Sequence, residues 1–153
     1  MADELSIAPA GTADIPELLS LLEALFSIEQ DFRPDPARQR RGLELLLARP
    51  DAARVLVARN AAGKVLGMAS AQLVISTAEG APSAWIEDVV VAEGHRGAGI
   101  GGALLAAVLD WAKARGATRA QLLADLDNAP ALHFYERLGW QLTRLGARRI
   151  SLD

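Results

Sequence analysis

Hydrophobic and polar positions alternate along this chain with two periods, and the changes of period mark its elements. Residues 5–9 read as a short first strand. Leu18, Leu22 and Leu25 then recur at helical spacing, with Leu19 and Phe26 beside them. Asp14 with Glu17 three positions on has the form of a capping box, and Pro16 suits the first turn of that helix. The run 26–36 breaks it, and a second helix is predicted over about residues 37–48, stopping before Pro50. Strand-like runs follow at 54–59, 65–76 and 85–91, the first two joined by a turn at Ala61-Ala62-Gly63. Ile100, Leu104, Leu105, Val108 and Trp111 or Ala112 form the apolar face of a third helix, closed by Gly116. Residues 120–124 make a short strand, and Asn128 and Pro130 open a fourth helix that ends at Gly139. Residues 140–144 and 148–152 read as a hairpin around Gly146. The order β-α-α-β-β-β-α-β-α-β-β predicts an α/β (α+β) fold. It is expected as one domain over residues 1–153, a mixed, mostly antiparallel sheet of about seven strands with about four helices.

Composition narrows the function classes. The 153 residues suit one domain, and 51% hydrophobic with 23% charged residues argues against disorder. Sixteen Lys+Arg against 19 Asp+Glu leave a net charge of −3, which disfavours a nucleic-acid partner. The chain has no cysteine, so thiolate metal sites and a cysteine nucleophile are excluded. With two histidines, no metal site is expected. No apolar run reaches the ~18 residues of a membrane span, and Met1-Ala2-Asp3-Glu4 does not read as a secretory leader. A cytoplasmic location without a membrane partner is the expectation.

The most informative stretch is Glu93-Gly-His-Arg-Gly-Ala-Gly-Ile-Gly-Gly102, between a strand and a helix. Glycines at a helix N-terminus are unfavourable for helix formation, whereas bare backbone N–H groups there suit phosphate. Arg96 would add a full charge. A P-loop needs Lys-Ser or Lys-Thr after its last glycine, and Ala103 follows Gly102. The dinucleotide fingerprint matches Gly97, Gly99 and Gly102, but too few residues follow for the rest of a doubly wound sheet. Arg96-Gly97-Ala98-Gly99-Ile100-Gly101 also fills the pattern Arg/Gln-x-x-Gly-x-Gly/Ala. Downstream stands Asn128-Ala-Pro-Ala-Leu-His-Phe-Tyr135-Glu-Arg-Leu-Gly139-Trp.

These two motifs, with the order of elements, resemble the GNAT N-acetyltransferase superfamily over nearly the whole chain. The downstream block and Trp85-Ile-Glu-Asp-Val-Val-Val91 are nearest to its spermidine/spermine N-acetyltransferase branch. The resemblance implies acetyl-CoA as the acetyl donor and a splayed parallel strand pair into which its pantetheine arm inserts. Main-chain groups of Val89, Val90 and Val91 would bind that arm. A backbone N–H of Val89 or Val90 would face the thioester oxygen. The turn formed by Arg96, Gly97, Ala98, Gly99, Ile100, Gly101 and Gly102 would hold the pyrophosphate. Asn128 would contact coenzyme A, cap its own helix, or do both. Tyr135, the single tyrosine of the chain, would stabilise the departing thiolate. An unperturbed phenol near pKa 10 protonates a thiolate near 8.5 only uphill, so a hydrogen bond comes before full proton donation.

An amine must lose a proton before it attacks, and Glu87 and Asp88 are the candidates to receive it. Strict alternation places Trp85, Glu87, Val89 and Val91 on one face, and Asp88 with Val90 on the other, unless a bulge shifts the register. The branch resemblance favours Glu87 as the base, directly or through water. The same family resemblance implies an acceptor wall between the first two helices. Phe26, Glu29, Asp31 and Phe32 lie there, and with Glu87 and Asp88 they suit a small cationic amine. Aminoglycosides, peptide N-termini and protein lysines stay open as acceptors, as does a catalytically silent acyl-CoA-binding domain. A homodimer is the expected assembly.

Overall fold

A computed structural model describes residues 4–28 and 33–153. The chain forms two compact units, Met1–Leu123 and Ala124–Asp153.

The first unit is built on a five-stranded sheet in the order β1-β2-β3-β4-β5. Its strands are β1 (Ser6–Pro9), β2 (Ala53–Arg59), β3 (Val65–Ser76), β4 (Ala81–Val91) and β5 (Arg119–Leu122). The first four pair antiparallel, and β5 lies parallel to β4. The β2–β3 turn forms where Ala61-Ala62-Gly63 predicts it: Gly63 has φ +84°, and Asn60 Oδ1 accepts the Lys64 N–H at 2.9 Å. One face of the sheet is covered by α1 (Ile15–Ile28) and α2 (Pro36–Leu47). There Leu18, Leu22 and Leu43 meet Val55, Val57, Met68 and Val90, all buried. The other face meets α3 (Ile100–Ala114) through Ile100, Leu104, Leu105, Val108 and Ala112, the stripe predicted from spacing. Gly67 fixes how closely α3 approaches. A Cβ there would come to 3.0 Å from a Leu104 methyl and 3.0 Å from the Val90 carbonyl oxygen.

Helix ends follow local chemistry with one departure. Asp35 caps α2 by accepting the Arg38 N–H at 3.2 Å, and Pro36 opens it. The predicted capping box of Asp14 and Glu17 does not form. Asp14 ends a short 3₁₀ turn, accepts the Gly11 N–H at 2.7 Å and pairs with Arg59. Glu17 reaches across to accept the Val65 N–H at 3.1 Å. A strand N–H that would otherwise go unpaired competes for that carboxylate.

The second unit carries α4 (Ala129–Arg137). Asn128 caps it by accepting the Ala131 N–H at 3.3 Å, and Gly139 ends it with φ +91°. The predicted terminal hairpin is absent: residues 140–153 contain no strand, so the sheet has five strands rather than seven. Leu142, Leu145, Ile150 and Leu152 are 81–96% exposed. Alternation alone gives each segment an apolar side, but an isolated two-stranded ribbon is marginal in water. Among the described residues, no helix is long and apolar enough to cross a membrane.

Candidate functional site

Strand β4 organises the site. It pairs with β3 along its length, but its ladder with β5 covers only Ser83–Ile86 against Arg119–Leu122. From Glu87 to Val91 the edge of β4 on the β5 side has no ladder partner among the described residues. That open stretch contains Val89, Val90 and Val91. Val90 turns its side chain into the core, 5% exposed, while Val89 and Val91 are half-buried. Any ligand role for Val90 therefore falls to its main-chain groups.

A bulge interrupts β4 inside the same stretch. The register runs Ser70↔Glu87 and then Met68↔Val90, so two β4 residues, Asp88 and Val89, stand against one on β3. Asp88 takes φ +49°, the only positive φ at a non-glycine among the described residues. Aspartate tolerates that region better than most side chains because it is short and bonds locally. The Ser70 hydroxyl, 2% exposed, lies 3.2 Å from the Glu87 carbonyl oxygen and 3.3 Å from Asp88 Oδ2. The consequence corrects strict alternation. Glu87 and Asp88 do not part to opposite faces; both line one cavity of about 810 Å³ on the α1/α2 side. The Glu87 carboxylate is oriented by Trp85, whose indole Nε1 donates to its Oε1 at 2.9 Å.

The cavity has a helix wall and a sheet wall. Phe26 and Leu22 come from α1, and Gln39, Gly42, Leu43 and Leu46 from α2. Arg33, Asp35 and Arg49 stand at the ends of these helices, and Gln72 joins Glu87 and Asp88 on the sheet. Of the four residues expected at the acceptor wall between the first two helices, Phe26 lines this cavity. Glu29, Asp31 and Phe32 lie outside the described residues.

Past Val91 the chain enters the glycine turn. Gly94, Gly97 and Gly99 have φ between +82° and +84°, and Gly99 is the residue before α3. A Cβ at Gly97 or Gly99 would meet nothing within 4 Å, so glycine is needed there for conformation rather than for room. No side chain caps α3, and its first N–H groups are left for a ligand or water. The turn and the open β4 edge therefore suit a phosphate with a strand-like arm behind it. Ile100 is a core residue, 5% exposed, so only its backbone is available to a ligand. Gly101 and Gly102 belong to the first turn of α3, and Ala98 is exposed in the loop. Arg96 is exposed, and its Nε donates to the Val91 carbonyl at 3.3 Å, which ties the turn to the end of β4.

Asn128 and Tyr135 belong to the second unit. On α4 the Tyr135 ring lies 5.2 Å from Phe134 and 6.1 Å from Trp140, centroid to centroid. Asn128 makes the capping bond expected of it.

Sequence reading missed Ser70, Gln39 and Gln72. Gln39 carried a usable signal, standing four residues before Leu43 and seven before Leu46 on the inner stripe of α2. Ser70 carried none, because only the cross-strand register gives it meaning.

Comparisons with known proteins identify the family. A family model described as the acetyltransferase (GNAT) family matches residues 17–140. A streptothricin acetyltransferase of Streptomyces lavendulae is 40% identical over 92 residues, 57% of this chain and 44% of that protein. The chain thus spans less than half the length of this curated relative. The structure of a Trypanosoma brucei acetyltransferase superposes with a TM-score of 0.71 at 26% identity, covering 98% of this chain and 99% of the other. An aminoglycoside N-acetyltransferase solved in complex with CoA gives a TM-score of 0.82 over 100% of this chain and 98% of its own, at 17% identity. That last likeness speaks for the fold.

Proposed function

Because the chain belongs to the acetyltransferase (GNAT) family, we propose that it transfers an acetyl group from acetyl-CoA directly to a primary amine. The observation that carries this reading is the β4 bulge, which turns two carboxylates into one cavity on the strand that runs into the glycine turn. Acetyl-CoA supplies an activated acyl thioester; the chain's own residues hold it and prepare the amine. Arg96 and the backbone of Gly97, Ala98, Gly99, Ile100, Gly101 and Gly102 hold the pyrophosphate. The main chain of Val89, Val90 and Val91 holds the arm, with Asn128 as a further contact. Glu87, oriented by Trp85, accepts the amine proton directly or through water. Asp88 adds negative charge that draws a small cationic amine, and Phe26 contributes to the acceptor wall, with Glu29, Asp31 and Phe32 as further candidates for contact with the amine. Tyr135 hydrogen-bonds the leaving thiolate, a role it takes from its place in the Asn128–Gly139 motif.

The absence of cysteine supports direct transfer, since no thiol is present to form an acyl-enzyme. The Glu87-Asp88 pair supports the spermidine/spermine-like branch, and the exposed apolar side chains of the tail support a homodimer. The deciding experiment is a thiol-release screen of acetyl-CoA against polyamines, aminoglycosides, amino-acid amides and peptides. Turnover with at least one cationic amine is expected. Cofactor binding without thiol release from any amine would convert the reading to a silent acyl-CoA-binding domain.

A further inference from the structure

The two walls of the cavity carry opposite charge. Glu87 and Asp88 line it from the sheet, whereas Arg33, Arg38 and Arg49 line it from α2 and its flanks. Arg38 is engaged by Asp35 in an exposed ion pair of 3.5 Å. Arg33 and Arg49 form no ion pair among the described residues. Of these two, Arg49 is the one fixed to the sheet. Its carbonyl accepts the Ala52 and Ala53 N–H groups at 3.0 and 2.8 Å, while its side chain is exposed. Ala53 stands opposite Gln72 on β3, and Glu87 stands opposite Ser70, two residues further along. Two strand spacings across the sheet and two residues along it separate the Cα atoms of Ala53 and Glu87 by about 12 Å. Gln72, between them in the register, also lines the cavity.

Charge at the two ends selects a ligand with two different ends. A guanidinium is a permanent cation that donates and never accepts. An ammonium placed beside it is repelled. A hydroxyl or a neutral carbonyl accepts a bond and leaves the charge unanswered. A carboxylate or phosphate answers both, with two oxygens matched to the guanidinium fork. At the other end, Glu87 and Asp88 suit the amine, and Leu22, Leu43 and Leu46 give the cavity apolar lining for a chain between the ends. We propose that Arg49 binds an acidic group of the acceptor, so that the substrate is an ω-amino acid or the corresponding aminoalkyl phosphate. Its amine lies at Glu87 and Asp88, and its acid at Arg49. An α-amino group and its own carboxylate, separated by one carbon, are too close together to serve both ends. This rests on the acetyl-transfer reading and adds a specificity-determining residue to it.

The test uses four acceptor series of matched chain lengths in the thiol-release assay: ω-amino carboxylates, ω-amino phosphonates, amino alcohols and diamines. Each is run on the full chain and on Arg49→Gln and Arg49→Glu. The wild type is expected to prefer an acid series over the alcohols and diamines, and the better of the two acids identifies the oxyanion. Arg49→Gln is expected to raise KM for that acid about tenfold and to leave kcat and the KM for amino alcohols within about threefold. Arg49→Glu is expected to lower the KM for diamines. Both variants should melt within about 2 °C of the wild type, because the side chain is exposed. A wild type that uses alcohols or diamines as well as acids overturns the proposal, as does an Arg49→Gln that spares the acids or weakens every series equally. If no amine releases thiol, the acetyl-transfer reading fails on its own. Arg49 is then judged by calorimetric titration of the ω-amino acids into the wild type and Arg49→Gln. Weaker binding to the variant upholds its role, and equal affinities or no binding to either overturn it.

Discussion

Two neighbouring carboxylates of β4 differ in how they are held, and the difference decides how to test them. Glu87 accepts from the Trp85 indole, while Asp88 sits at φ +49° beside the Ser70 hydroxyl. Asparagine tolerates that backbone as aspartate does, so Asp88→Asn removes charge without adding strain. Glu87→Gln is expected to lower kcat about a hundredfold, the loss of one acid–base group, with Asp88→Asn acting mainly on the KM for the amine. Steady-state kinetics on both variants checks this; an Asp88→Asn defect in kcat larger than that of Glu87→Gln would move the base to Asp88. Tyr135→Phe keeps the ring packing with Phe134 and Trp140 and removes the hydroxyl alone. It should lower kcat by about tenfold or more while leaving the KM for acetyl-CoA within a few-fold; unchanged turnover would remove Tyr135 from the chemistry. At this scale the sequence was informative about identity and poor about orientation. Glu87, Asp88 and Tyr135 stand out by residue type and motif. Which way Glu87 and Asp88 point depends on a bulge held by Ser70, a buried hydroxyl 17 residues away along the chain.

The elements were legible wherever a segment carries its own partner pattern. The apolar stripe of α3, the hairpin turn at Gly63 and the glycine ends of α3 and α4 all appear where spacing predicts them. They depend on contacts within a few residues, or on one face meeting any apolar surface. The glycine turn belongs to this class, because its left-handed residues at 97 and 99 are glycines for a local reason. Gly97→Ala puts a side chain into open space but at φ +83°, which costs about 1–2 kcal/mol. The expected outcome is a Tm lower by about 2–8 °C and a raised KM for acetyl-CoA, with kcat less affected. Differential scanning fluorimetry with and without acetyl-CoA checks both parts; a variant stabilised by acetyl-CoA as much as the wild type would separate the turn from phosphate binding. The tail failed as an element for the complementary reason. Its alternation names an apolar side, and nothing within the segment supplies the surface that would bury it.

Across the first unit, one sheet carries the cavity lined by Glu87 and Asp88 on its α1/α2 face and leans on α3 with the other. Leu104 of α3 is fully buried against the sheet, beside the position where Gly67 lets the helix approach. Leu104→Ala is expected to cost about 2–5 kcal/mol, and to weaken acetyl-CoA binding as well, since α3 begins at the glycine turn. Chemical denaturation and a cofactor titration check the two effects; a loss of stability with unchanged cofactor affinity would show that the turn is held independently of α3. The sequence by itself determined the order of elements through α4, the α/β class, the glycine turn and the absence of a cysteine nucleophile. Each is a property of local spacing or composition, fixed before any distant residues meet. Tertiary structure alone decided that Glu87 and Asp88 share one cavity, that Glu17 serves Val65 instead of its own helix, and that the Gln39 amide is enclosed without a partner among the described residues. Those outcomes depend on which strand lies opposite and which helix covers it, and hydrogen bonds across such separations leave no period in the chain.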